Sequence, residues 1–409
     1  MQVFRPTDIL IPQTDMYMWS VVACDQFTSE PEYWAKVYET VGDKPSALRL
    51  ILPEAELGVK DPEAESERIN ETMAEYLRGG IFKEYKDSCV YVERRLENGM
   101  LRRGIVGAFD LEAYDWVEGT HTPIRATEYT VEDRLPPRVK VREKALLEMP
   151  HIMIFMDDPD DAVLGAVEKG EKLYDFELMQ RGGHISGWLV KDNKALESAV
   201  EKLGDARELT RKYGAAADPM IFAMGDGNHS FAAAKKHWEN IRSQLTESEW
   251  ENCPARYAIA ELVNIHDDAI SFEPIHKMIF DTEPESFISE AKSFFAGKTG
   301  EGKSFTLITG AGRETVSVSG MTIGELIGSC EKFCKAFIAR HGGRIDYIHG
   351  DNECISMSER ADCAGILLPR MEKSDLFKSV MSSGPFPKKS FSVGHGNDKR
   401  YYLECRRIK

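Results

Sequence analysis

The stretch from Pro219 to Trp238 restricts the folds open to this chain more than any other. An apolar run, Pro219-Met220-Ile221-Phe222-Ala223, reads as a buried strand. The turn Met224-Gly225-Asp226-Gly227-Asn228-His229-Ser230 follows, and then Phe231-Ala232-Ala233-Ala234-Lys235-Lys236-His237-Trp238. Phe231, Ala234 and Trp238 stand at i, i+3 and i+7, which gives a helix one apolar face. A glycine-rich passage from strand to helix leaves backbone N–H groups unpaired at the helix start, a natural seat for phosphate. Gly225 and Gly227 permit close backbone approach, while Asp226, Asn228 and His229 bring polar and titratable groups beside it. Spacing alone also allows a plain tight turn whose Asp and Asn cap the helix.

Elsewhere strands and helices are interspersed without repeats. Asp61-Pro62 opens a helix carrying Ile69, Met73, Tyr76 and Leu77 on one face, and Gly79-Gly80 closes it. Residues 90–94 and 104–110 read as a hairpin turning at Glu97-Asn98-Gly99. Residues 151–156 and 185–190 read as strands, 194–203 as a helix, and Thr246 with Glu249 as a capping box. Residues 258–265 are expected to pair with 269–272 across His266-Asp267-Asp268. Strands joined by short turns among helices imply an α+β fold with a mixed sheet and flanking helices. No linker divides the 409 residues, so a single unit is expected, with lobes at 1–150 and 151–409 as the division and the site between them.

Composition excludes several classes of function. The 52 basic and 68 acidic residues leave a net charge of −16, which argues against general nucleic-acid or anionic-membrane binding. No apolar run approaches the ~18 residues of a membrane span, and the N-terminus has no signal pattern. Eight scattered cysteines lack paired CxxC spacing, which points to reduced thiols in the cytoplasm. Cys330 and Cys334 share a helical face, as packing residues do.

Four further segments carry candidate chemistry. Five basic residues fall within residues 125–142: Arg125, Arg134, Arg138, Lys140 and Arg142. In an extended segment stiffened by Pro136-Pro137, Lys140 and Arg142 would share one side and could clamp an anion. A basic surface strip offset by acids is the plainer reading. Lys388, Lys389, Ser390 and His395 form a second anion-binding candidate, or simply an exposed loop. Asp25 follows an apolar run and reads as a base, a metal ligand or a helix cap. His276 reads as a catalytic or a core histidine.

Together and in order, these segments resemble the domain-of-unknown-function 1015 family over almost the whole chain. The residues carrying the resemblance are Val22-Ala23-Cys24-Asp25, Arg125-Ala126-Thr127-Glu128, Gly225 to Ser230, Glu273-Pro274-Ile275-His276-Lys277 and Pro387-Lys388-Lys389-Ser390-Phe391. Asn228 and Ser230 stand where many members have His and Arg, and Lys277 where many have Arg, which resembles a distinct branch. The central turn is in turn similar to the phosphate-binding turn of the ParB–sulfiredoxin superfamily, which includes partition proteins, sulfiredoxin and a free-serine kinase.

That resemblance implies phosphoryl transfer to or from serine or a similar small metabolite, with ATP or ADP and Mg²⁺ as cofactors. Asp226, His229 and Glu128 would be the catalytic residues. Gly225, Gly227, Asn228, Ser230, Arg125, Arg138, Arg142, His276, Lys388, Lys389 and Ser390 would bind substrate and phosphate, and Asp25 the metal. The competing expectation is a regulatory protein that binds a nucleotide or phospho-metabolite without turning it over.

Overall fold

The computed structural model describes residues 2–409 except 58, 131, 150, 215–218 and the Arg134 side chain. Two compact units emerge: Met1–Ala126 with Thr130–Ile270 and His395–Lys409, and Thr127–Tyr129 with Ser271–Gly394. Residues on both sides of position 150 belong to the first. Twelve α-helices lie among the described residues, and the fold is mixed α+β. None of these helices is long and apolar enough to cross a membrane.

A ten-stranded mixed sheet organises the first unit. Its order runs Lys169–Leu178, Gly183–Val190, Val90–Arg95, Leu101–Asp110, Tyr257–Asn264, Met153–Met156, Phe222–Asp226, Ile124–Arg125, Tyr114–Asp115, with Phe4–Arg5 added to Leu101–Asp110. The hairpin across Glu97-Asn98-Gly99 forms as its turn chemistry demands. Asp61 caps the Pro62–Arg78 helix by accepting the Glu63 N–H, and Gly79 ends it.

One expected pairing does not form. Tyr257–Asn264 is buried at every position and lies between two strands, antiparallel to Leu101–Asp110 and parallel to Met153–Met156. Both its edges are thereby used, leaving none for residues 269–272. Those residues part after a tight turn held by Asp267, and Phe272 enters another sheet.

The C-terminal segment is stitched into the same unit by backbone bonds. The Ala23 N–H donates to the Arg400 carbonyl, the Tyr402 N–H to Val21, and Leu10 and Cys405 exchange both bonds. Arg406–Arg407 pairs with Leu147–Glu148. Buried charges reinforce this seam. Arg400 bridges Glu261 and Glu404, and Arg94 donates to the carbonyls of Gly182, Asn397, Asp398 and Lys399.

The second unit is a six-stranded antiparallel sheet in the order Gly312–Val318, Thr299–Thr309, Cys363–Leu367, Phe272–Phe280, Arg344–His349, with Phe391–Val393 on the start of Phe272–Phe280. Phe287, Phe295, Phe333 and Phe337, from the helices Pro284–Phe295 and Ile323–His341, are buried. Cys330 and Cys334 lie buried on the latter helix as free thiols.

Candidate functional site

The strand Phe222–Asp226 runs between Met153–Met156 and Ile124–Arg125 and ends at the turn. Gly227 adopts φ +76°, and the helix Asn228–Arg242 begins directly after it. A Cβ on Gly227 would stand 3.0 Å from Ile152 Cγ1 and 3.1 Å from its Cα, so the backbone angle favours glycine and the space for a side chain is tight. A Cβ on Gly225 would meet the Phe155 ring at 2.9 Å.

Among the described residues, no side chain makes the N-cap hydrogen bond of this helix. Asp226 Oδ1 accepts the Gly227 N–H at 2.9 Å, and the first helical bond is the Phe231 N–H to the Gly227 carbonyl. Asp226 Oδ2 lies 3.3 Å from Lys399 Nζ, an ion pair that lacks hydrogen-bond geometry. Asn228 Oδ1 is buried without a hydrogen-bond partner among the described residues. The turn is thus not an Asp or Asn cap.

Met153–Met156 is antiparallel to Phe222–Asp226, so its start lies beside the turn and delivers His151 there. His151 Nε2 and Ser230 Oγ are 3.1 Å apart, and His151 Nδ1 and the Tyr402 hydroxyl 3.0 Å. The Tyr402 oxygen also accepts the Cys24 N–H at 3.2 Å. Burial pushes the Tyr402 hydroxyl well above its ordinary range, with Cys24 and Asp25 adding to the shift, so it stays protonated. Burial and the Asp25 charge push the Cys24 thiol up to about 11, which keeps it from acting as a thiolate. Burial opposes ionisation of Asp25, but His151, the Gln26 amide and Lys399 outweigh it and hold the carboxyl below its ordinary value.

Ser230, His151, Tyr402 and Cys24 form part of the wall of a cavity of about 560 Å³. Its remaining walls are largely apolar, with Arg138 and Arg142 among the charged exceptions. The segment carrying these arginines is not extended. Leu135–Lys144 is an α-helix, because Pro136 and Pro137 fall in its first turn, where proline is tolerated. Lys140 and Arg142 therefore do not share a side. Lys140 pairs outward with Glu63, Arg142 with buried Glu148 and Arg138 with Glu54.

The sequence-derived candidates divide between the units. Asp25, Arg125, Arg138, Arg142 and Gly225 to Ser230 belong to the first; Glu128, His276, Lys388, Lys389 and Ser390 to the second. Arg125 is buried beside the turn's strand, opposite Ala223, and its Nε donates to the Thr122 carbonyl. His276 has both ring nitrogens engaged: Nδ1 accepts the Leu368 N–H and Nε2 faces Asp351 at 2.9 Å. Burial lowers its pKa despite Asp351. Ser390 is buried and donates to the Pro387 carbonyl, whereas Lys388 and Lys389 are exposed, with Lys389 5.3 Å from the Tyr347 ring. Glu128 is half-buried in a bridge to Phe386.

Sequence reasoning passed over His151, Lys399 and Tyr402. His151 was visible only as the first residue of a strand, and Lys399-Arg400-Tyr401-Tyr402 as a basic and aromatic run without a motif. Among the described residues no three His, Cys, Asp or Glu side chains are grouped as a metal-ligand set.

Among solved structures, the chain is similar to C-terminally truncated SbnI from Staphylococcus aureus at 9% identity and TM-score 0.36, covering 71% of this chain and 82% of that one. A conserved hypothetical protein from Pyrococcus furiosus gives 10% identity and TM-score 0.34, covering 72% and 90%. A free serine kinase in complex with AMP gives 8% and 0.37, covering 72% and 92%. No curated protein matches. The model of a protein family of unknown function, DUF1015, matches residues 4–340, and the chain belongs to that family.

Proposed function

We propose that the first unit is a cytoplasmic phosphoryl-transfer centre for a small metabolite, with serine or phosphoserine as the substrate. The supporting observation is the Gly227 turn, which opens a fifteen-residue helix without a side-chain cap and sets Lys399 beside Asp226. Phosphoryl transfer depends on positioning and charge neutralisation more than on covalent chemistry, and a helix head with a nearby cation supplies both. In this reading the turn works like the ParB–sulfiredoxin phosphate-binding turn. The backbone of residues 227–230 holds the phosphate, Lys399 and Arg125 offset its charge, and Asp226 or His229 orients and deprotonates the attacking hydroxyl or water. Asp25 would hold Mg²⁺ with ATP or ADP, since this ion needs only one or two protein carboxylates when phosphate oxygens complete its shell. Glu128, His276, Lys388, Lys389 and Ser390 are assigned no necessary role.

Phosphorus NMR of the full chain tests this reading, first with phosphoserine alone and then with serine plus ATP, ADP or pyrophosphate. Phosphate release or exchange into serine is expected, with at least a tenfold loss in Asp226→Asn and His229→Ala. Unchanged turnover in both folded variants would sink the assignment. Tight binding without turnover would make the protein a phospho-metabolite-binding regulator instead.

A further inference from the structure

We infer that Ser230 is also an acyl acceptor, and that the protein hydrolyses esters of small apolar carboxylic acids in the cavity beside it. Three independent features meet at this serine. First, Ser230 Oγ lies 3.1 Å from His151 Nε2, while Tyr402 holds the other ring nitrogen at 3.0 Å. A nucleophile, a base in hydrogen-bond reach and a third group orienting that base are the parts that activate a weak hydroxyl.

Second, Ser230 stands in the first turn of Asn228–Arg242, whose start has no side-chain cap. N–H groups at a helix head stabilise an oxyanion as they do a phosphate. Third, Ser230 forms part of the wall of a cavity of about 560 Å³, within the size range of small-molecule sites. Leu50, Ile69, Met73, Val141, Leu147 and Ile259 line it. Apolar walls of this kind suit an acyl chain, whereas serine would leave them uncovered. Of the charged side chains that line it, Arg138 and Arg142 are paired with Glu54 and Glu148, which leaves Asp133.

The reaction needs only water. In the tautomer it requires, the His151 Nδ1–H donates to the Tyr402 oxygen and Nε2 accepts the Ser230 O–H. Ser230 Oγ bonds to the ester carbonyl carbon as its proton passes to Nε2. The C–O bond to the alcohol then breaks, and the departing alkoxide takes that proton from His151. Water, deprotonated in turn by His151, attacks the acyl-serine. Its proton returns to Ser230 as the carboxylic acid leaves.

The test uses the full chain with 4-nitrophenyl acetate and 4-nitrophenyl butyrate, together with a fluorophosphonate probe located by peptide mass spectrometry. Turnover of both esters, a lower KM for butyrate and labelling at Ser230 are expected. Ser230→Ala should lower kcat by roughly 100-fold or more while its melting transition stays intact. Tyr402→Phe should lower kcat and leave KM unchanged, as expected of a positioning residue. Met73→Trp, which fills the cavity, should raise KM for butyrate and leave that for acetate in place. No turnover, labelling away from Ser230, or full activity in Ser230→Ala would overturn the inference. Equal KM values for the two esters would overturn the assignment of the cavity to the acyl group. Neither ester carries phosphate, so these outcomes are read independently of phosphoryl transfer.

Discussion

At the scale of single residues, Gly227 bears two demands at once, a left-handed φ and a neighbour in Ile152 that a Cβ would crowd. Gly227→Ala is therefore expected to cost about 1–3 kcal/mol, read as a lower denaturation midpoint, and to weaken phosphate binding along with it. An unchanged midpoint would show that the turn relaxes freely. His237, one face round the same helix, gives a pH prediction. Burial, with Arg142 and Lys409 nearby, lowers its pKa from 6.5 to about 4, and its Nδ1 has no hydrogen-bond partner among the described residues. As pH falls below 6.5 the unfolded chain binds the proton first, so the stability this histidine contributes is complete above 6.5 and is lost on the way to 4. The loss amounts to about 3 kcal/mol at most. The stability of wild type relative to His237→Leu should fall as pH falls between these values; a constant difference in the melting curves would remove His237 as the cause. Gly227 was legible in the sequence because glycine between a strand and a helix has few other uses. His237 was not, since burial and neighbouring charge are tertiary facts.

Individual elements were legible where local chemistry settles them and misread where long-range pairing does. The 90–110 hairpin and the Pro62–Arg78 helix carry their own turn and cap residues. Residues 135–144 carry two prolines that read as stiff extension but suit a first helical turn equally well. The helix they begin holds two ion pairs of unequal worth. Lys140–Glu63 is more than half exposed on both sides, 52% and 67%, whereas Arg142–Glu148 is 15% and 6% exposed. Lys140→Met should change stability by less than about 0.5 kcal/mol. Arg142→Met strips one partner from a buried carboxylate still held by Arg406 and should cost about 2–3 kcal/mol. Urea titrations of the two variants measure the contrast, and equal costs would mean that Glu148 is better solvated than its burial indicates.

For the whole molecule, much of the site depends on a segment that no local pattern announces. The family match ends at residue 340, yet from residues 395–409 Lys399 reaches Asp226 in the turn and Tyr402 reaches His151. Their arrival rests on pairings hundreds of residues apart, such as Leu10 with Cys405 and Arg94 with the 397–399 carbonyls. Such closures leave no local pattern, so Asp226 is legible in the sequence and its cation is not. Ending the chain after Gly394 removes Arg400 from buried Glu261 and Arg406 from buried Glu148. Among the described residues Glu261 would keep Arg102, at 3.7 Å, and Glu148 would keep Arg142, so each loss should cost about 2–3 kcal/mol. That sum is comparable to the lower end of a typical domain's stability, about 5–15 kcal/mol. Hydrogen exchange of the truncated chain should therefore show lost protection in Leu101–Asp110 and Tyr257–Asn264, strands of the first unit. Protection should persist in Phe272–Phe280 and Cys363–Leu367, whose pairings lie within the second. Retained protection in both pairs would show that the first unit closes its core without the segment, and that residues 395–409 serve the site alone.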